Sequence, residues 1–110
     1  MSDKLLVIIS SGDREKVLTA LMYAKNTIKY GWIPDVRVMF FGPAENLLAS
    51  DTDVKGSAAE LANFGSPIAC KFLSDRDGIS EHIEAIGVEV DFVGTIIADL
   101  IKDGYVPMVW

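Results

Sequence analysis

Leu5-Leu6-Val7-Ile8-Ile9 is apolar at every position, ends at Ser10, and is followed by the polar Ser11-Gly12-Asp13. A strand with one face in water alternates apolar with polar residues. A strand covered on both faces does not, and parallel strands between helices are of that second kind. Leu5–Ser10 therefore reads as a central strand of a parallel sheet.

Outward from that strand, apolar runs of strand length alternate with stretches of helical period, the pattern of βα units. Asp13–Tyr30 predicts the first helix, with Val17, Leu18, Leu21, Met22 and Ile28 on one stripe, Asp13 and Glu15 near its start and Gly31 as its stop. Val36–Phe41 predicts the second strand. After Gly42-Pro43, two helical pieces, Ala44–Ala49 and Val54–Phe64, flank the polar linker Ser50-Asp51-Thr52-Asp53. Pro67–Cys70 predicts a short third strand with proline at its first position, where a missing ladder donor is tolerated. A polar loop, Ser74–Gly78, leads to a helix over Ile79–Ile86, then a fourth strand over Val88–Phe92. The last helix, Thr95–Lys102, turns Ile96, Ile97, Leu100 and Ile101 inward and stops at Gly104. Tyr105–Trp110 predicts a fifth strand, and Pro107 places it at a sheet edge or turns its missing donor away from a neighbour.

The order βαβαβαβαβ calls for a single α/β domain over residues 1–110: a five-stranded, mostly parallel sheet with helices on both faces, in three layers. No Pro/Gly/Ser-rich stretch or charge run divides the chain, and its 110 residues are close to the modal size of one domain. Half the residues are hydrophobic and mean hydropathy is +0.29. A domain of this size buries only roughly two thirds of its unfolded surface, which leaves apolar surface over for a partner. The apolar Val109-Trp110 end predicts burial there, within the protomer or against another subunit.

Ten basic and sixteen acidic side chains give a formal charge of −6, so the electrostatic footprint of nucleic-acid binding is missing. The opening Met1–Lys4 and the short apolar run after it lack a signal-peptide core, and no apolar run is long enough to span a membrane. The expected location is cytoplasmic, which agrees with one unpaired cysteine.

In parallel α/β sheets the strand carboxyl ends gather ligands, and here they carry Ser10-Ser11-Gly12-Asp13, Phe41-Gly42-Pro43, Cys70-Lys71 and Val93-Gly94-Thr95. The first and last feed helix N-termini, so Ser11 and Gly12 either hold a small anion or simply cap the helix. Gly42 and Gly94 belong to the same rim. Cys70 is the single cysteine, and it reads either as a small buried hydrophobe or as a thiolate favoured by nearby positive charge such as Lys71 or Arg76, with Asp75 and Asp77 opposing. Phe72-Leu73 supplies bulk to cover it. A dithiol mechanism is excluded for want of a resolving cysteine; one solitary thiolate can instead attack a sulfur and hold it until another molecule collects it. His82, between Glu81 and Glu84, reads as a surface histidine. One Cys and one His fall short of a zinc site, and the acidic loops lack the calcium pattern, so no metal or cofactor is expected. Nucleotide-binding glycine fingerprints are absent. Phe40, Phe41, Phe64, Phe72 and Phe92 read as core.

Lys4–Gly12, Val38–Glu45, Ile68-Ala69-Cys70-Lys71, Gly78-Ile79, Gly94 and Gly104-Tyr105, in that order over nearly the whole chain, resemble the DsrE/DsrF-like family of small sulfur-relay proteins, which includes the TusD and YchN types. The resemblance implies a three-layer α/β/α domain assembling as a homotrimer or hexamer, or with related subunits. It also implies that Cys70, at the position of the relay cysteine after the third strand, accepts a persulfide sulfur from a donor protein and passes it to an acceptor. Lys71, Ser11 and Gly12 are then placed to stabilise an anionic sulfur. The alternative is a non-catalytic oligomeric module that binds a small anion or a partner at the rim, with Cys70 structural.

Overall fold

A computed structural model of the protein describes residues 3–110, so Met1 and Ser2, part of the opening segment read above, lie outside the described residues. The elements are β1 (Lys4–Ile9), α1 (Arg14–Lys29), β2 (Asp35–Phe40), α2 (Ala44–Ser50), α3 (Thr52–Ala62), β3 (Ile68–Cys70), α4 (Lys71–Arg76), α5 (Ser80–Ala85), β4 (Glu89–Asp91), α6 (Val93–Lys102) and β5 (Val106–Val109). The five strands form one sheet in the order β4-β3-β2-β1-β5, with every pairing parallel. β1 pairs on both sides, as its unbroken apolar run requires.

The strand period of two divides the side chains between two layers. Leu5, Val7, Ile9, Val38, Phe40 and Ala69 pack with Val17, Leu21 and Ala24 of α1, Leu48 of α2, Val54, Ala58 and Leu61 of α3 and Ile83 of α5. The alternate residues Leu6, Met39, Ile68 and Cys70, with Ile8 at the margin, pack with Val93, Ile96, Ile97 and Leu100 of α6 and with Tyr105. Three crossovers run outward from β1 to β4 and one returns to β5. Right-handed connections therefore place α1, α2–α3 and α5 on one face and α6 on the other, where Leu73 of α4 joins it at the margin. The fold is a three-layer α/β/α domain with unequal outer layers.

β5 is an edge strand, as Pro107 predicts. The Trp110 amide donates to the Ile8 carbonyl oxygen (2.8 Å) and the Ser10 amide to the Trp110 carbonyl oxygen (2.8 Å), so even-numbered residues of β5 turn their backbone groups to β1. The missing N–H of Pro107 falls on the open side. Trp110 is half-buried beside Tyr23, ring centroids 6.4 Å apart.

Five expectations are corrected. Met22, expected on the apolar stripe of α1, is exposed, and Ala20, Ala24 and Thr27 are buried instead. The polar linker Ser50–Asp53 is not a loop: Asp51 alone separates α2 from α3, and its carboxylate caps α3 by accepting from the amides of Asp53 and Val54, each at 3.0 Å. Arg14 of α1 clamps this junction by donating to Asp51 (2.8 Å) and to Asp53. The Val54 amide, followed by Arg14, holds the Asp51 carboxyl below its ordinary range. The stretch read as a loop from Ser74 is largely helix, since α4 begins immediately after Cys70, with Lys71 paired to Asp75 one turn on (3.0 Å). α6 begins at Val93, two residues before the expected start, so Gly94 lies in its first turn, and Ile101 faces solvent rather than the core. Of the five phenylalanines read as core, only Phe40 is buried; Phe41, Phe64, Phe72 and Phe92 are exposed.

Candidate functional site

The strand carboxyl ends β1, β2 and β3 present two adjoining groups of residues. At β1 and β2, Gly12 packs so closely on the Gly42-Pro43 turn that a Cβ would stand 3.2 Å from Pro43 Cβ. Gly42 has a φ of +94°, which strains any side chain, and a Cβ there would crowd Ser10 Oγ at 3.0 Å. Ser11 and Gly42 are thereby brought onto one small rim. The Ser11 amide donates to the Trp110 carbonyl oxygen (3.1 Å), while its hydroxyl oxygen accepts from the Asp13 amide (2.9 Å). Asp13 in turn caps α1 by accepting from the Lys16 amide (3.1 Å). Ser11 is thus engaged as part of the turn into α1.

At β3, Cys70 ends the strand and stands at the N-cap of α4 without a capping hydrogen bond. It is 6% exposed, yet it lines an open cleft of about 400 Å³ together with Phe41, Phe72, Leu73, Phe92, Val93, Gly94 and Thr95. Phe41, Phe72 and Phe92 are 40%, 65% and 57% exposed, so three phenyl rings stand around the mouth. Each comes from a different piece of chain: Phe41 follows β2, Phe72 lies on α4 and Phe92 caps α6. The bulk of Phe72-Leu73 walls the thiol without sealing it. Of the residues singled out from sequence, Cys70 and Gly94 share this cleft. Lys71 adjoins it in sequence but is held by Asp75, and Ser11, Gly12 and Gly42 form the neighbouring rim.

His82 lies elsewhere. It lines a polar cleft of about 360 Å³ with Asp75, Gly78, Ser80 and Glu81. There Ser80 Oγ donates to Asp75 Oδ1 (2.5 Å) and shares a 2.6 Å hydrogen bond with Ser74 Oγ. The Ser80 hydroxyl, and then Lys71, hold the Asp75 carboxyl below its ordinary range. His82 therefore does not share the cleft of Cys70. Among the described residues no group of three or more His, Cys, Asp or Glu is placed to hold a metal, and no helix is long and apolar enough to cross a membrane.

One functional candidate is invisible to sequence reading. Glu45, in the first turn of α2, is 1% exposed. Its Oε1 accepts from the Gly42 amide at 3.3 Å, a long bond, and its Oε2 is buried with no partner among the described residues. Burial pushes its carboxyl up to about 7; Asp77 adds to the rise, and the Gly42 amide and Arg76 oppose it. An acidic residue in a first helical turn is ordinary in a sequence, and only the tertiary packing reveals that this one is enclosed.

No protein-family model matches the chain, and no curated protein matches it. Solved structures do. A conserved protein of unknown function from Bacteroides thetaiotaomicron is similar with a TM-score of 0.91 and 24% identity, covering 98% of this chain and 95% of that one. A protein of unknown function from Methanobacterium thermoautotrophicum is similar at 0.75 and 20%, covering 97% and 98%. The ychN protein from E. coli is similar at 0.78 and 17%, covering 97% and 99%. At these identities the likeness establishes the fold: this chain has the architecture of the ychN protein and of the two proteins of unknown function over nearly its whole length.

Proposed function

We propose that this protein is a sulfur carrier of the DsrE/DsrF-like kind, with Cys70 as the atom that is loaded and unloaded. The observation that carries the reading is the placement of the chain's one thiol in an open apolar cleft at the strand carboxyl ends, within a fold shared with the ychN protein. In the first step the Cys70 thiolate attacks the terminal sulfur of a donor persulfide, R–S–SH. The Cys70 S–S bond forms, the donor S–S bond breaks, and R–S⁻ leaves. In the second, an acceptor thiolate attacks the terminal sulfur of Cys70–S–SH, and the Cys70 thiolate leaves with the electron pair. No oxidant is consumed, because the sulfane sulfur passes between thiols of equal oxidation state. A second thiol in the chain would discharge the persulfide as a disulfide, and this chain has none. The phenyl-walled cleft limits the approach of water and unrelated thiols to the loaded sulfur. A reducing compartment such as the cytoplasm suits a thiol with that task.

We infer further that copies of the chain assemble through the α6 face. That face leaves Ile101, Phe92 and Val109 exposed on or beside a sheet covered by one ten-residue helix. The family resembled by the sequence supplies the expected trimer or hexamer.

Intact-protein mass spectrometry after exposure to a persulfide-charged donor protein tests the carrier. The expected result is a gain of one sulfur atom in the native protein and none in Cys70→Ser. No gain in the native protein leaves a non-catalytic module with a packed cysteine.

A further inference from the structure

Glu45 combines three features that the carrier chemistry does not use. Its carboxyl is enclosed, one oxygen has no partner among the described residues, and it is bonded to the residue next to one wall of the thiol cleft. On one side its Oε1 holds the amide of Gly42, the residue after Phe41. On the other it lies within electrostatic reach of Arg76 and Asp77, at the end of the helix that carries Phe72 and Leu73. Phe41, Phe72 and Leu73 all line the cleft over Cys70. A buried carboxyl with an orphaned oxygen is tolerable when neutral and costly when charged.

We propose that Glu45 is a proton-operated latch behind the Cys70 cleft: neutral, its carboxyl stays enclosed beside the Gly42 turn, and ionised, its orphaned oxygen must gain water or a counter-charge, which loosens the packing between that turn and the end of α4 and admits reagents. This deepens the carrier reading, on which it rests for its purpose, by naming what regulates access to the thiol. On ionisation the proton passes to solvent, and the carboxylate gains a counter-charge by drawing Arg76 from Asp77, to which Arg76 now donates at 3.1 Å. The charges that act on Glu45 come from Asp77 and Arg76. Of the other elements packed on α2, α5 bears Glu81, His82 and Glu84, all exposed; α3 bears Asp53, Lys55 and Glu60; and α1 offers Arg14, already committed to Asp51 and Asp53.

The test compares the alkylation rate of Cys70 by neutral iodoacetamide in the native protein and in Glu45→Gln across the pH range. The intrinsic ionisation of the thiol is common to both proteins and cancels in the ratio, which leaves only what Glu45 adds through its packing or its charge. The native-to-variant ratio is expected near one at about pH 5.5 and about fivefold at about pH 8.5, as a proton-linked opening requires. A flat ratio overturns the latch. A falling ratio overturns it too, because a Glu45 charge acting only through space would suppress the native thiolate. If Glu45→Gln does not fold, hydrogen exchange of the native protein decides. The amides of Asp77, Gly78 and Ile79 should lose about tenfold protection relative to β1 between about pH 6 and pH 8, and unchanged protection overturns the proposal. Alkylation needs no persulfide. A flat ratio beside a normal gain of sulfur therefore removes the latch alone, whereas a rising ratio without any gain of sulfur removes the carrier alone.

Discussion

Leu5, Val7, Ile9, Val38, Phe40 and Ala69 look into a layer built by α1, α2, α3 and α5, whereas Leu6, Ile8, Met39 and Cys70, alternate residues of the same strands, look into a layer held by α6 and Leu73 of α4. The first layer encloses these strand residues fully. The second has an open cleft around the thiol, with Phe92, Ile101 and Val109 exposed on or beside it. Burial of one large aliphatic or aromatic side chain is worth roughly 1.5–3 kcal/mol, so the well-covered face supplies most of the stability. The thinly covered face is thereby free to carry chemistry and contacts.

The contrast is broken most severely from the well-covered side. Phe40→Ala is expected to cost about 3–5 kcal/mol in denaturant unfolding, because it empties a site with no exposed edge through which to relax. A loss as small as that of a surface change would show that the two layers are equally slack.

Glu45 has an ordinary value of 4.5 and is pushed up to about 7 in the fold. The folded chain thus keeps a proton that the unfolded chain releases. Stability is unaffected below about 4.5, falls as pH rises toward 7, and stays lowered by about 3 kcal/mol above it. Glu45→Gln should therefore raise the melting temperature at about pH 8.5 and leave it nearly unchanged at about pH 4. Equal melting of both proteins at every pH would mean that the carboxyl is solvated. The smallest effect on stability is expected on the thin side: Ile101→Ser should stay within about 0.5 kcal/mol while shifting sedimentation toward the monomer. An unaltered assembly would move the contact surface away from α6.

The order of elements, the parallel sheet and the edge position of β5 were legible because they rest on local signals: the unbroken run at β1, the alternation of strand and helix periods, and Pro107. Cys70 was legible as a rim residue for the same reason. What escaped reading depends on contacts between distant pieces of chain. Lys71–Arg76 is short, with only Phe72 and Leu73 apolar, and its helical signal is one Lys71–Asp75 pair. Phe41, Phe72 and Phe92 have the composition of core residues, but each follows a strand end at the rim, where no helix covers it. Glu45 resembles any acidic helix start until Gly42, Arg76 and Asp77 are assembled around it.

The margins of the sheet carry a consequence for solubility. One outer strand turns a proline toward its open side, and the other is three residues long with Glu89 and Asp91 exposed on it. An incoming chain finds an interrupted ladder at one margin and negative charge at the other, so hydrogen-bonded growth into fibrils is blocked in both directions.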